Sequence, residues 1–376
     1  MPDNPLLAVK QLGQSLWLDD MRAELLNEGG LRRLIENDGL AGMTSNPTLF
    51  AKDIVERRAY DDAIGRLSSE GLDAVAIYEH LAIEDIRRAA DQFRPVYEGS
   101  GGRDGYVSLE VSPHLAYDTE GTVAEAKRLW QALDRPNVMI KVPGTPAGLP
   151  ALRRLIAEGV CVNVTLLFGI DRYRSVAEHY LAGLEDRQRA GQPLNNVASV
   201  ASFFLSRIDV LVDGLLDSHL NSVGNGYSEA RWLRGETAIA SARLAYEAFQ
   251  GIFDGERWQA LQRSGARPQR LLWASTSTKD PDYSDVLYVE SLIGPHTVNT
   301  LPLKTLEAFR DHGRAVNRIG ERLDHARGIP VKLAEFDIQL DQVTARLERE
   351  GVDKFSASFD HLLETIDSRR KQVANG

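Results

Sequence analysis

Short apolar runs alternate along the chain with longer stretches whose hydrophobic positions recur every three or four residues. That alternation is the signature of strands followed by amphipathic helices. It predicts strands at Ser15–Asp20, Leu40–Ser45, Tyr106–Val111, Val138–Pro143, Val160–Leu167, Val197–Phe204, Arg270–Ser275 and His296–Leu301. Helical spacing fills the intervals, as at Met21–Glu36, Thr119–Leu133, Leu149–Glu158, Asp171–Arg189 and Ser228–Phe253. Eight strands, each followed by a helix, predict an α/β fold in which a parallel sheet closes as a (β/α)8 TIM barrel. The interval after the second strand is long and itself helical, as in Ala59–Leu67 and Leu72–Ala90. After Arg314 comes a charge-rich tail with helical pattern at Gln339–Arg349 and Phe355–Lys371. No Pro/Gly/Ser-rich linker, low-complexity tract or fixed-period repeat divides the chain. Residues 1–376 are therefore expected to form one domain, with a barrel over about 15–314 and a C-terminal helical extension over about 315–376. The extension either docks on the barrel or makes a subunit contact.

Composition narrows the class. Of 376 residues, 43% are hydrophobic and 26% charged, values of a soluble globular chain. No run approaches the roughly 18 apolar residues of a membrane helix. Met1-Pro2-Asp3-Asn4-Pro5 has no basic segment leading into an apolar core, so no secretory signal is expected. One cysteine, Cys161, excludes an internal disulfide and fits a reducing cytoplasm; its strand context suits a small core residue. A net charge of −10 argues against non-specific nucleic-acid binding but leaves room for an anionic small molecule in a locally basic pocket. Eight scattered histidines, no HExxH and a single Cys give a metal site little support, and no glycine-rich phosphate loop stands between a strand and a helix. No cofactor is expected.

The most informative feature is a lysine inside an apolar strand, Val138-Met139-Ile140-Lys141-Val142-Pro143. A buried ammonium ion must be paired or give up its proton. A neutral amine in a dry pocket forms a Schiff base with a carbonyl substrate, whereas a lysine at a strand end snorkels to solvent. In a barrel, catalytic side chains project from the C-terminal ends of several strands. Polar residues gather there. The first strand ends in Asp19-Asp20; Asp19 shares the parity of Trp17 and is assigned to the mouth, Asp20 to capping the next helix. After the second strand, Thr44-Ser45-Asn46-Pro47 offers Asn46 as a turn residue or as a carboxamide for substrate hydroxyls. Glu110 in the third strand is either an ion-pair partner of Lys141 or a general acid/base acting through water. Asn163 and Thr165 share one face of the fifth strand. Beyond the sixth and seventh strands, Arg207, Ser275 and Lys279 are candidate phosphate donors, although Arg207 also precedes Asp209 and Asp213 at helical ion-pair spacing.

These stretches resemble the transaldolase family. The matching pieces are Leu16-Trp17-Leu18-Asp19-Asp20, Gly42-Met43-Thr44-Ser45-Asn46-Pro47-Thr48, Val107-Ser108-Leu109-Glu110-Val111, the Lys141 strand, and Glu158 to Phe168 with its Asn163 and Thr165. The resemblance covers about Leu16 to Leu303, and the tail resembles the C-terminal helices of longer members. It implies a class I aldol transferase of the pentose phosphate pathway. Such an enzyme moves a dihydroxyacetone unit from sedoheptulose 7-phosphate to glyceraldehyde 3-phosphate, giving erythrose 4-phosphate and fructose 6-phosphate. By motif position Lys141 forms the imine, Asp19 handles the sugar hydroxyl proton, and Glu110 with Thr165 and a water relays protons for carbinolamine formation. Thr44, Asn46, Asn163 and Ser202 belong to the dihydroxyacetone site, and Arg207 and Ser275 to the phosphate site. Phe204 stands where the transferase branch has phenylalanine and small fructose 6-phosphate aldolases have tyrosine; it equally suits core packing. One departure stands out: many members carry an arginine two residues after the Ser275 equivalent, where this chain has Ser277, and Lys279 is the nearest cation. A monomer or homodimer acting on sugar phosphates is expected. The competing expectations are a Schiff-base aldolase that cleaves without an acceptor, a non-catalytic sugar-phosphate-binding barrel, and a metal-dependent aldolase.

Overall fold

Eight parallel strands close on themselves in a computed structural model that describes residues 4–27, 29–45, 50, 54, 60–222 and 227–374. They are β1 Gln14–Leu18, β2 Gly42–Thr44, β3 Tyr106–Glu110, β4 Val138–Pro143, β5 Val162–Leu167, β6 Ser199–Phe204, β7 Arg270–Ala274 and β8 Thr297–Leu301. Each strand pairs with the next, and β8 pairs with β1. Every strand position except Glu110 is buried, one face under the helices and the other inside the barrel. This is why the runs are apolar on both parities. The expected (β/α)8 barrel is the fold.

Polar bonds between strands that are not neighbours reveal the lumen. Arg270 of β7 donates to Ser15 Oγ of β1 at 2.7 Å and to Asp104 Oδ1 at 2.8 Å, skipping β8. This buried cluster closes the floor at the N-terminal ends of the strands. The C-terminal ends are therefore where chemistry has room.

Helix punctuation follows local rules where side chains cap. Thr119–Leu133 starts at Asp118, whose carboxylate accepts from Gly121 N at 3.0 Å, and stops at Asp134 in a left-handed conformation. Three expectations change. The single helix expected over Met21–Glu36 is two, Ala23–Asn27 and Gly30–Asp38, because Gly29 adopts φ 70 between them. The helix expected over Ser228–Phe253 is likewise two, Tyr227–Leu233 and Thr237–Phe253. Gly235 breaks it at φ 70, where a Cβ would sit 2.9 Å from the Tyr283 ring. The tail pieces Gln339–Arg349 and Phe355–Lys371 merge into one helix, Leu340–Ala374. The helix expected from Ala59 runs Asp61–Ser69, and Ala59 itself lies outside the described residues.

The tail docks on the barrel. Val352 and Phe355 cover the mouth beside Lys141 and Thr165. Further along, Leu362 and Ile366 join Ile64, Leu67, Ile77 and Leu81 in a second apolar cluster built on the helices that follow β2. Arg369 clamps Asp61 there through two bonds, of 2.6 and 2.7 Å. Glycine inside a helix costs about 1 kcal/mol relative to alanine. Gly351 has a reason to be there: its Cβ would lie 3.1 Å from Leu166 Cδ2, so the helix can pass close over β5.

Candidate active site

Lys141 stands near the C-terminal end of β4, 7% exposed. Its register partner on β3 is Glu110, and the ammonium donates to Glu110 Oε1 and to the Ser45 carbonyl at 3.4 Å. Lys141 is thus paired rather than snorkelling. Of the two readings of Glu110, the structure shows the ion-pair partner of Lys141.

Thr165 lies one step further along the mouth, with Pro143 of β4 as its register partner. Its hydroxyl is buried and without a hydrogen-bond partner among the described residues. It lines a small cavity with Glu110, Lys141, Val352 and Phe355. The β5–β6 pairing slips between Val164 and Leu167, and Leu166 takes φ 63, which a branched residue rarely adopts. A bulge and strain at this point re-aim the end of β5 over the site.

Across the mouth, Thr44 Oγ1 of β2 donates to Asp19 Oδ1 at 2.9 Å and lies 3.0 Å from Thr300 Oγ1 of β8. Since β2 and β8 flank β1, this trio sits inside the barrel and confirms the parity that pointed Asp19 inward. Burial pushes the Asp19 carboxyl above its ordinary value. The positive charge of Lys141 opposes that rise most strongly, followed by the Thr44 hydrogen bond. Asp20 turns to Arg22 instead, at 2.6 Å.

Asn163, fully buried, is the register partner of Lys141 on β5. Its Nδ2 donates to Ser108 Oγ at 3.1 Å, and its Oδ1 accepts from Ser202 Oγ at 2.7 Å. Phe204 is nearly buried, its ring 5.4 Å from Phe168, and the Arg207 guanidinium lies 5.3 Å above it. Arg207 makes no ion pair with the aspartates that follow it. Asp209 accepts from Ala238 N and Tyr288 Oη, and Asp213 from Gly235 N and Tyr283 Oη. Partial burial lowers the Arg207 pKa, with Asp19 opposing. Ser275 sits just past β7 at φ 56, its hydroxyl 2.9 Å from Ser206 Oγ. Lys279 is exposed and donates to Ser277. Asn46 lies outside the described residues.

The structure thus gathers Lys141, Glu110, Thr165, Asp19, Thr44, Asn163, Ser202, Phe204 and Arg207 at one end of the barrel, with Ser275 and Lys279 on the loop after β7. Sequence reasoning did not single out Ser108 in the middle of β3, Thr300 near the end of β8 or Ser206 at the start of the helix after β6, although Ser108 shares the parity of Glu110, which period-two counting shows. It also missed Val352 and Phe355, for which no local signal exists.

A family model described as Transaldolase/Fructose-6-phosphate aldolase matches residues 16–366. A transaldolase of Trichodesmium erythraeum is 45% identical over 99% of both chains. Transaldolase 2 of a Nostoc species is 46% identical over 100% of both. A transaldolase of Thiobacillus denitrificans is 48% identical over 95% of this chain and 98% of that protein. With a lysine–glutamate pair at the barrel mouth and full-length similarity of this kind, the chain belongs to the transaldolase/fructose-6-phosphate aldolase family.

Proposed function

We propose that Lys141, Glu110, Asp19 and Thr165 carry the reaction of this transaldolase, a transferase that moves a dihydroxyacetone unit between sugar phosphates through a lysine imine. The observation that supports it most is the buried Lys141 held by Glu110 beside an unpartnered Thr165 hydroxyl. Glu110 accepts the ammonium proton, and the freed amine adds to the C2 carbonyl of a ketose phosphate. A water held between Glu110 and Thr165 shuttles the proton that lets the carbinolamine lose hydroxide as water, leaving the imine. The Asp19 carboxylate then takes the proton of the C4 hydroxyl. As the C3–C4 bond breaks, its electron pair flows into the imine, giving an enamine on Lys141 and a free aldose.

An acceptor aldehyde enters, the enamine attacks it, and Asp19 returns the proton to the new alkoxide. Imine hydrolysis releases the second ketose. Asn46, Asn163, Ser202 and Thr44 serve the dihydroxyacetone hydroxyls, Asn163 with its amide oriented by Ser108 and Ser202. Arg207, Ser275 and Lys279 serve the phosphate. Phe204 adds no hydroxyl that would order a water against the enamine, which favours transfer over hydrolytic release.

The substrates are sugar phosphates; among the described residues no helix is long and apolar enough to cross a membrane. We assign the protein to the cytoplasm, as a monomer or homodimer with the barrel and its helical tail working as one unit. The test is incubation with fructose 6-phosphate and borohydride, then intact mass and peptide mapping. A reduced three-carbon adduct on Lys141 is expected in wild type and absent in Lys141→Arg, which keeps a cation beside Glu110. Turnover without any adduct would discard the imine.

A further inference from the structure

We propose that the C-terminal helix supplies a phosphate ligand, Lys354, which completes with Arg207 and Lys279 a three-cation cradle in place of the arginine missing at Ser277. This rests on the transaldolase reading and extends it to a residue on an element outside the barrel. The Phe355 ring lies 5.6 Å from the Arg207 guanidinium, which is also 5.3 Å from the Phe204 ring. The C-terminal helix therefore packs an aromatic ring against Arg207.

Gly351 brings that helix close, its Cβ position lying 3.7 Å from Arg207 Nη1. Lys354 follows Gly351 by one helical turn and precedes Phe355, so it stands on the side of the helix that meets Arg207.

Charge balance then points to an anion. Among the described residues neither Arg207 nor Lys354 has a carboxylate partner, and Lys279 bonds only to the Ser277 hydroxyl. Arg207 stands partly buried in the first turn of the 17-residue helix Ser206–Ser222, next to the Ser206–Ser275 hydroxyl pair, and the two lysines are exposed. Helix N-termini and hydroxyls add further donors for a phosphate. A guanidinium binds phosphate by a bidentate fork, whereas a lysine contributes a point charge. Replacing one fork by two lysines from separate elements retains charge, and it ties phosphate binding to docking of the tail.

Full-length Lys354→Gln, Lys354→Arg and Lys279→Gln separate the possibilities, with Lys332→Gln on the preceding helix as an exposed control. The first readout is the ratio of kcat/KM for fructose 6-phosphate to that for unphosphorylated fructose. Lys354→Gln is expected to lower it about tenfold or more, the size of one charge-assisted hydrogen bond. Lys354→Arg restores it and Lys332→Gln holds it. The second readout is calorimetric affinity for inorganic phosphate, which needs no turnover and should fall by a similar factor. Unchanged phosphate affinity in Lys354→Gln overturns the proposal. A wild type that binds phosphate through Lys354 but gives neither turnover nor borohydride adduct overturns the transaldolase reading and leaves the cradle standing.

Discussion

Asp19 shows how a single carboxylate is set for its task. Burial raises its pKa, while Lys141 and the 2.9 Å bond from Thr44 favour the ionised form. In its proposed role as the base for the sugar hydroxyl it works ionised, so the acid limb of the kcat/KM profile should lie above the ordinary carboxylate value of 3.8. Thr44→Val removes a bond that stabilises the charged form. The Asp19 pKa then rises further, and the acid limb moves to higher pH. A pH–rate series on fructose 6-phosphate checks this; a limb that stays put or moves down would show that Asp19 does not govern it. The residues proposed to carry chemistry were the legible part. Lys141, Glu110 and Asn163 are polar among valines and leucines, and such residues need a partner or a task. Whether Glu110 is a partner or a base was not legible. Both depend on the β3–β4 register that sets it beside Lys141.

At the scale of elements, β2 is only three residues long and touches β1 through Trp17↔Gly42 and Leu18↔Met43. Gly42 faces the Trp17 indole, where a Cβ would come within 2.6 Å. An indole cannot retreat in a packed lumen, so β2 itself must shift in Gly42→Ala. The expected cost is about 1–3 kcal/mol, as for overpacked cores, read as a lower melting temperature. Turnover should fall with it, because β2 also aims Thr44 at Asp19. A variant with wild-type melting and turnover would refute this account of the β1–β2 contact. Strand positions were readable because β-branched runs buried on both sides differ sharply from amphipathic helix. Helix breaks were less so. Gly29 and Gly235 interrupt periodic patterns that otherwise continue smoothly, and a pattern does not state which glycine adopts positive φ. Gly351 shows the converse, a glycine that leaves its helix intact and serves a close approach.

The whole molecule decides what water can reach. A transferase must hold its enamine without protonating it, and the tail helix closes Val352 and Phe355 over the cavity that Lys141 and Thr165 share. Phe355→Ala should open that cover. The expected outcome is faster release of free dihydroxyacetone from fructose 6-phosphate without an acceptor, relative to transfer when glyceraldehyde 3-phosphate is supplied. Quantifying the two products in parallel reads this partition. An unchanged partition would mean that the tail shields nothing.

What the sequence by itself determined was local and periodic. The strand and helix pattern dictated a closed parallel barrel, and the odd polar residues at strand ends marked Lys141, Glu110, Asp19, Asn163 and Thr165. These signals survive in one dimension because period two and period 3.6 are properties of short segments. The tertiary structure alone decided which of two long-range possibilities the tail takes, and that its Phe355 covers Arg207 nearly 150 positions away. Ser108 meeting Asn163 across β4, and Thr44 meeting Thr300 across β1, are of the same kind. They exist only once the sheet has closed, since curvature of the barrel, not sequence spacing, brings non-neighbouring strands together around one lumen.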